Sequence, residues 1–279
     1  MKDGPALHRR LGPLAQCQSM GWTMTKSGEL QAADGKNKIH LLCFPYACGS
    51  ASIYRNWPEN LPEYVVRPVE LAGRGARFGE APATTVQEIV SEVLRDVVSK
   101  LDCPICLFGH SMGATIAFEL ARAMVTGGFA PPLHLFVSAR IAPQEPCEPL
   151  ALADASDEAV TEVLHRLGGT SPELLADPGF LEFFLPVARA DFGLVNGYVY
   201  QPSSPLQIPI TAISGSADMT APEPKMLSWR RETSMSFRHH VVGGEHFYID
   251  HNPAKLLDIV GRMGASLNLS LEARLRRQG

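Results

Sequence analysis

Over residues 104–124 an apolar run, PICLF, passes directly into Gly109-His110-Ser111-Met112-Gly113 and from there into ATIAFELARAM, with no polar linker between them. A short buried strand followed at once by a helix leaves room only for a very tight turn. A serine at the apex of that turn is held in strained dihedrals, and the residues two before and two after it must be small to avoid collision. Gly109 and Gly113 occupy those places, and Ala114 extends the small surface where helix meets strand. In a chain with 24 glycines the bare Gly-x-Ser-x-Gly string arises easily by chance. The strand before it and the helix after it are what make Ser111 a candidate nucleophile. The same geometry aims the N–H of Met112, at the helix N-terminus, to where an oxyanion would form.

The rest of the chain repeats the alternation of strand and helix. IHLLCF (39–44) ends at Pro45 and reads as a buried strand. Residues 64–71, YVVRPVEL, read as a second strand whose Pro68 places it at an edge or makes it irregular. Residues 85–101 carry apolar side chains at Val86, Ile89, Val90, Val93, Leu94, Val97, Val98 and Leu101, a helical stripe opened by the capping-box pair Thr85 and Glu88. Further strands are expected at 133–139, 208–215 and 237–244, a helix at 112–124 and a closing helix at 253–267. This order predicts an α/β protein with a mostly parallel central sheet flanked by helices. One segment, 155–198, is helical with no convincing strand, and an insertion of that size between sheet strands reads as a lid over a site.

At 279 residues, 45% hydrophobic and 19% charged, the chain has material for one sizeable core. The expected organisation is an extension over 1–37, poorly ordered, then a domain over 38–270 with its lid at about 150–200, then a basic tail over 271–279. A net charge of -4 gives no basic footprint for nucleic acid, and Arg274, Arg276 and Arg277 read as a solvated end. No window has the roughly 20 apolar residues of a membrane span, and the first residues lack a signal peptide's apolar stretch. The six cysteines show no disulfide framework. Cys103-Pro-Ile-Cys106 has redox or zinc spacing, but residues three apart on a strand face opposite ways and no second pair completes a zinc site. Buried thiols in a reducing cytoplasm are the expectation, with no metal and no cofactor.

A serine hydroxyl needs a base to become nucleophilic, and the base needs an acid to orient it. In chains of the α/β-hydrolase fold these follow in the order Ser, Asp, His. Of nine histidines, His246 is best placed, in the glycine-led loop GGEHFYI after the last strand. His239 and His240 lie inside the strand pattern, His251 opens the closing helix, and His110 is turned away from Ser111. The acid should end an earlier strand, which favours Asp218 in SGSADMTAP over Asp191 in the insertion and Asp250 beside the base. A second oxyanion donor is expected in the loop after the first core strand, CFPYACGSASIYRNW, where the N–H of Ala47 is the candidate.

Taken together, FPYACGSASIYRNW, VELAGRGAR (69–77), FGHSMGA, PLHLFVSAR, LPVARADF (185–192), SGSADMTAP and GGEHFYI resemble, in order, the motifs of the type II (external) thioesterases that accompany polyketide, nonribosomal-peptide and fatty-acid synthases. The match runs over about 39–264. The resemblance implies an α/β-hydrolase fold with Ser111 as nucleophile, His246 as base, Asp218 as acid, and Ala47 and Met112 as oxyanion donors. It also implies hydrolysis of acyl groups from the phosphopantetheine arm of an acyl or peptidyl carrier protein by a cytoplasmic monomer. A serine esterase of small soluble esters, or an acyltransferase using the same acyl-serine, shares these residues. Three positions depart from the family pattern: Cys48 and Glu245 stand where glycine is usual, and Ala72 where proline precedes Gly73-Arg74.

Overall fold

The computed structural model describes residues 23–24, 30–31, 38–147, 152 and 155–276. The apolar runs become β1 Ile39–Phe44, β2 Tyr64–Pro68, β3 Ile105–His110, β4 His134–Ser138, β5 Ile210–Gly215 and β6 Phe237–Val242. They form one sheet in the order β2-β1-β3-β4-β5-β6. Every neighbouring pair is parallel. All strand C-termini therefore lie along one margin. The order reverses between β1 and β3, the switch point at which open α/β sheets form their crevice.

Strand periodicity divides each run between two helical layers. Leu42, Phe44, Leu107, Leu135, Val137, Ile210 and Ala212 pack with α1 Val86–Asp96 and α2 Met112–Thr126. Leu41, Cys43, Cys106, Phe108, Phe136 and Ile213 face the other way, against Tyr54, Trp57 and, from α5 Ala254–Arg276, Leu256 and Val260. Burial on both faces explains why these strands read as unbroken apolar runs. The capping box of α1 forms as the sequence requires, with Thr85 accepting from the Glu88 N–H and Glu88 accepting in return.

The insertion holds α3 Asp157–Leu167 and α4 Pro178–Gly197, with a single turn, Pro172–Leu175, between them. Leu152, Val160, Leu164, Leu175, Leu185, Ala188 and Phe192 give it a small apolar core of its own. Ala47 and Cys48, from the loop after β1, pack against that core.

Three boundaries differ from the sequence expectation by more than two residues. The stripe of α1 continues past Asp96, but as a 3-10 turn at Val98–Lys100, whose tighter winding still turns Val98 inward. The second strand stops at Pro68, which has no N–H for the ladder, although the Val69 N–H still reaches the Cys43 carbonyl at 2.9 Å. The closing helix does not end near 267: nothing in SLNLSLEAR breaks it, Leu271 is buried, and it runs to Arg276 through much of the expected tail. Within residues 1–37 only the antiparallel pairing of Thr23–Met24 with Leu30–Gln31 is described. The expected poorly ordered extension otherwise lies outside the described residues.

Candidate active site

Ser111 follows the last residue of β3 and precedes the first of α2, at φ 55 and ψ -118. Its N–H donates to the Ser138 carbonyl at 2.8 Å, and its own carbonyl accepts from the Ala114 N–H at 2.9 Å. The glycines are obligatory. A Cβ on Gly109 would stand 2.0 Å from the Gly113 carbonyl oxygen, and one on Gly113 would stand 2.1 Å from that of Phe44. Both obstacles are backbone, so no side-chain rotation relieves them.

The loops after β5 and β6 bring Asp218 and His246 to the same margin. The Ser111 hydroxyl donates to His246 Nε2 at 2.9 Å, and His246 Nδ1–H donates to Asp218 Oδ2 at 2.9 Å. The other carboxylate oxygen of Asp218 accepts from the Thr220 N–H at 2.9 Å, the Thr220 hydroxyl at 2.7 Å and the Ala221 N–H at 3.2 Å. Burial alone would push this carboxyl up. The bonds from His246 and Thr220 outweigh it and hold Asp218 below the usual carboxylate range. Thr220 Oγ1 also lies 2.8 Å from His246 Nδ1, so the imidazole N–H is shared between the two acceptors.

His110 is buried beneath this relay. Its Nε2–H donates to the His246 carbonyl at 2.9 Å and its Nδ1 accepts from the Ser138 hydroxyl at 3.0 Å. Burial first, then repulsion from His246, lowers it to about 3, which keeps the ring neutral and the tautomer fixed by its two partners. His110 thus faces away from the Ser111 hydroxyl while tethering the backbone of His246.

The two expected oxyanion donors lie at the C-terminal ends of β1 and β3, on either side of the switch point. Among the described residues, the N–H groups of Ala47 and Met112 make no hydrogen bond within the chain.

The rival acids have other partners. Asp250 accepts from the Tyr46 hydroxyl at 2.7 Å. Asp191 is buried and takes Arg74 in two parallel bonds of 2.6 and 2.7 Å. His239 bonds Ser214 Oγ at 2.9 Å, and His251 is exposed. Glu245 is exposed. Cys48 adopts φ 68, the left-handed region that favours glycine. Cys103 and Cys106 are free and buried. Among the described residues no group of three or more His, Cys, Asp or Glu side chains is placed to hold a metal ion, and no helix is long and apolar enough to cross a membrane.

Sequence reasoning did not single out Thr220 or the Arg74–Asp191 pair. Thr220 had a local signal, since Asp-x-Thr is the pattern of a side chain accepting from the N–H two residues on. The ion pair spans 117 positions and had none.

Comparison with known proteins adds four findings. The profile of the thioesterase domain family matches residues 39–263. Gramicidin S biosynthesis protein GrsT of Aneurinibacillus migulanus is 35% identical over 224 residues, covering 80% of this chain and 88% of that one. Among solved structures, the RedJ thioesterase from the prodiginine biosynthetic pathway of Streptomyces coelicolor superposes with a TM-score of 0.72 at 34% identity, covering 83% of this chain and 95% of that one. YbtT, a type II thioesterase from the yersiniabactin NRPS/PKS pathway, gives 0.72 at 30% identity, covering 83% and 94%.

Proposed function

This chain belongs to the thioesterase domain family, and on that premise we propose that it hydrolyses acyl groups from the phosphopantetheine thioester of acyl or peptidyl carrier proteins, editing or releasing chains on a polyketide, nonribosomal-peptide or fatty-acid synthase. The single observation that carries the reading is the Ser111–His246–Asp218 relay, closed by two bonds of 2.9 Å. The pathways named for GrsT, RedJ and YbtT supply the substrate class.

In this reading His246 Nε2 takes the proton from Ser111 as the hydroxyl oxygen attacks the thioester carbonyl. Asp218, kept ionised by its hydrogen bonds, holds the Nδ1–H and stabilises the imidazolium that forms. The tetrahedral oxyanion takes the N–H groups of Ala47 and Met112. The C–S bond breaks, the departing thiolate takes the proton from His246, and the acyl group remains on Ser111. Water, deprotonated by His246, then attacks the ester carbonyl; the C–O bond breaks, Ser111 regains its proton and the free acid leaves. The chemistry as written needs no metal or diffusible cofactor.

One chain supplies all five groups, so a monomer is sufficient. Free cysteines accord with a cytoplasmic location.

The test is free-acid release from a carrier protein loaded with a panel of acyl-phosphopantetheines. The expected result is release by the wild type and a fall of at least about a thousandfold with Ser111→Ala. Intact carriers alongside cleavage of small esters would make this a simple esterase; a new ester or amide in place of free acid would make it an acyltransferase.

A further inference from the structure

We propose that the buried Arg74–Asp191 ion pair is a positioning device for the Ala47 amide, through which the lid helix α4 sets the strength of oxyanion stabilisation. The inference rests on the site reading given above, in which Ala47 is an oxyanion donor.

Tyr46–Gly49 is a four-residue turn closed by the Gly49 N–H on the Tyr46 carbonyl at 2.9 Å. Cys48, its third residue, stands at φ 68, which is the signature of a type II turn, and that position favours glycine. A side chain there disfavours the turn, so its shape needs outside support.

The support comes from three directions. The Cys48 N–H donates to Asp191 Oδ2 at 2.6 Å. Arg74 Nη1 donates to the same oxygen at 2.6 Å, and Nη2 to Oδ1 at 2.7 Å. Arg74 Nη1 also reaches the Gly49 carbonyl at 3.3 Å, and its Nε the Ala72 carbonyl at 3.4 Å. Two residues further on, the Ala51 N–H donates to Glu70 Oε1 at 3.0 Å. The turn is thereby fixed at an amide and a carbonyl on either side of its strained residue.

Both charged side chains are nearly out of solvent, at 8% and 2% exposure. Such a pair is weakly justified as stability alone, since apolar residues of similar volume would serve as well. Here its geometry is spent on the backbone of the turn. Asp191 lies on α4 between Ala188 and Phe192, and those two residues belong to the apolar core on which Ala47 and Cys48 pack. Neither Arg74 nor Asp191 hydrogen-bonds Ser111, His246 or Asp218 among the described residues, so the effect passes through Ala47.

The test compares wild type with Asp191→Asn on whichever acyl ester or thioester the wild type cleaves, normalised to folded protein. Failure of the carrier reading therefore leaves it intact. Full loss of an oxyanion donor costs about 100- to 1000-fold, so a misplaced one should lower kcat by about 10- to 100-fold. KM should stay within about threefold, affinity for an acyl trifluoromethyl ketone should fall with kcat, and affinity for the uncleavable thioether analogue should not. Adding Cys48→Gly should recover part of the lost kcat, because glycine holds the turn unaided. Should Asp191→Asn not fold, the paired change Arg74→Met with Asp191→Leu removes both charges together and should show the same split. Unchanged kcat, or equal losses for ketone and thioether, overturns the proposal; so does failure of Cys48→Gly to restore any activity.

Discussion

Buried histidines that take no part in the chemistry proposed for this protein shape its response to acid, His110 and His134 most strongly, with His239 and His240 lowered by burial as well. Burial lowers His110 to about 3, and burial, with the Arg238 charge, lowers His134 to about 3. An unfolded histidine titrates near 6.5, so between about 3 and 6.5 the unfolded chain binds two protons that the folded chain refuses. Stability is therefore complete above about pH 6.5 and falls with acid, by about 1.4 kcal/mol per pH unit for each ring. Asp218, held below its ordinary value, adds to this loss only at lower pH. His134 Nε2 lies 2.8 Å from the Thr211 hydroxyl, a bond that an amide can replace. Urea unfolding at pH 5, 6 and 7.5 should show His134→Gln with a shallower pH slope than the wild type; an unaltered slope assigns the effect elsewhere. None of this was legible in LHLFVSA, because the partner of His134 lies 77 positions away on the next strand. Asp218 was legible because strand, loop and residue order all pointed to it. Its tuning by Thr220 depends on a side-chain orientation that residue order does not fix.

The elbow between β3 and α2 was the most legible element, since its constraint is local and steric. A Cβ at Gly113 would lie 2.1 Å from a carbonyl oxygen of β1, so Gly113→Ala should destabilise by more than about 3 kcal/mol or prevent folding. Thermal unfolding decides it, and a fall of less than about 1 kcal/mol would refute the clash. Gly193 supplies the contrast: it is exposed within α4 and a Cβ there meets nothing within 4 Å. Gly193→Ala should stabilise the helical insertion by about 0.5–1 kcal/mol. Element ends were less legible than element centres. The apolar stripe of α1 runs on through Val97 and Val98 whether the winding is α or 3-10, so periodicity alone places no stop at Asp96.

For the molecule as a whole, alternating strands and helices implied a parallel sheet, and the parallel sheet implied that every functional loop would leave the same margin. What could not be read was contact across that margin. Arg74 and Asp191 come from the loop after β2 and from the helical insertion, and no pattern in either segment names the other. The closing helix was also underestimated, because its last turns look polar while Leu271 still reaches the core. Ending the chain after residue 267 should remove that burial and lower stability by about 1.5–3 kcal/mol, visible as a lower Tm. An unchanged Tm would mean that the final turns contribute nothing.

Among the described residues the sheet ends in β2 on one side and β6 on the other, and each is a strand poorly suited to receiving another. β2 carries Arg67 and Pro68, and β6 carries Arg238 beside His239 and His240. A neighbouring chain arriving side-on would meet a missing N–H at one margin and the exposed Arg238 cation at the other. At high concentration, copies of this protein should stay apart instead of zipping into fibres. An otherwise awkward proline and arginine thus serve as a safeguard against aggregation.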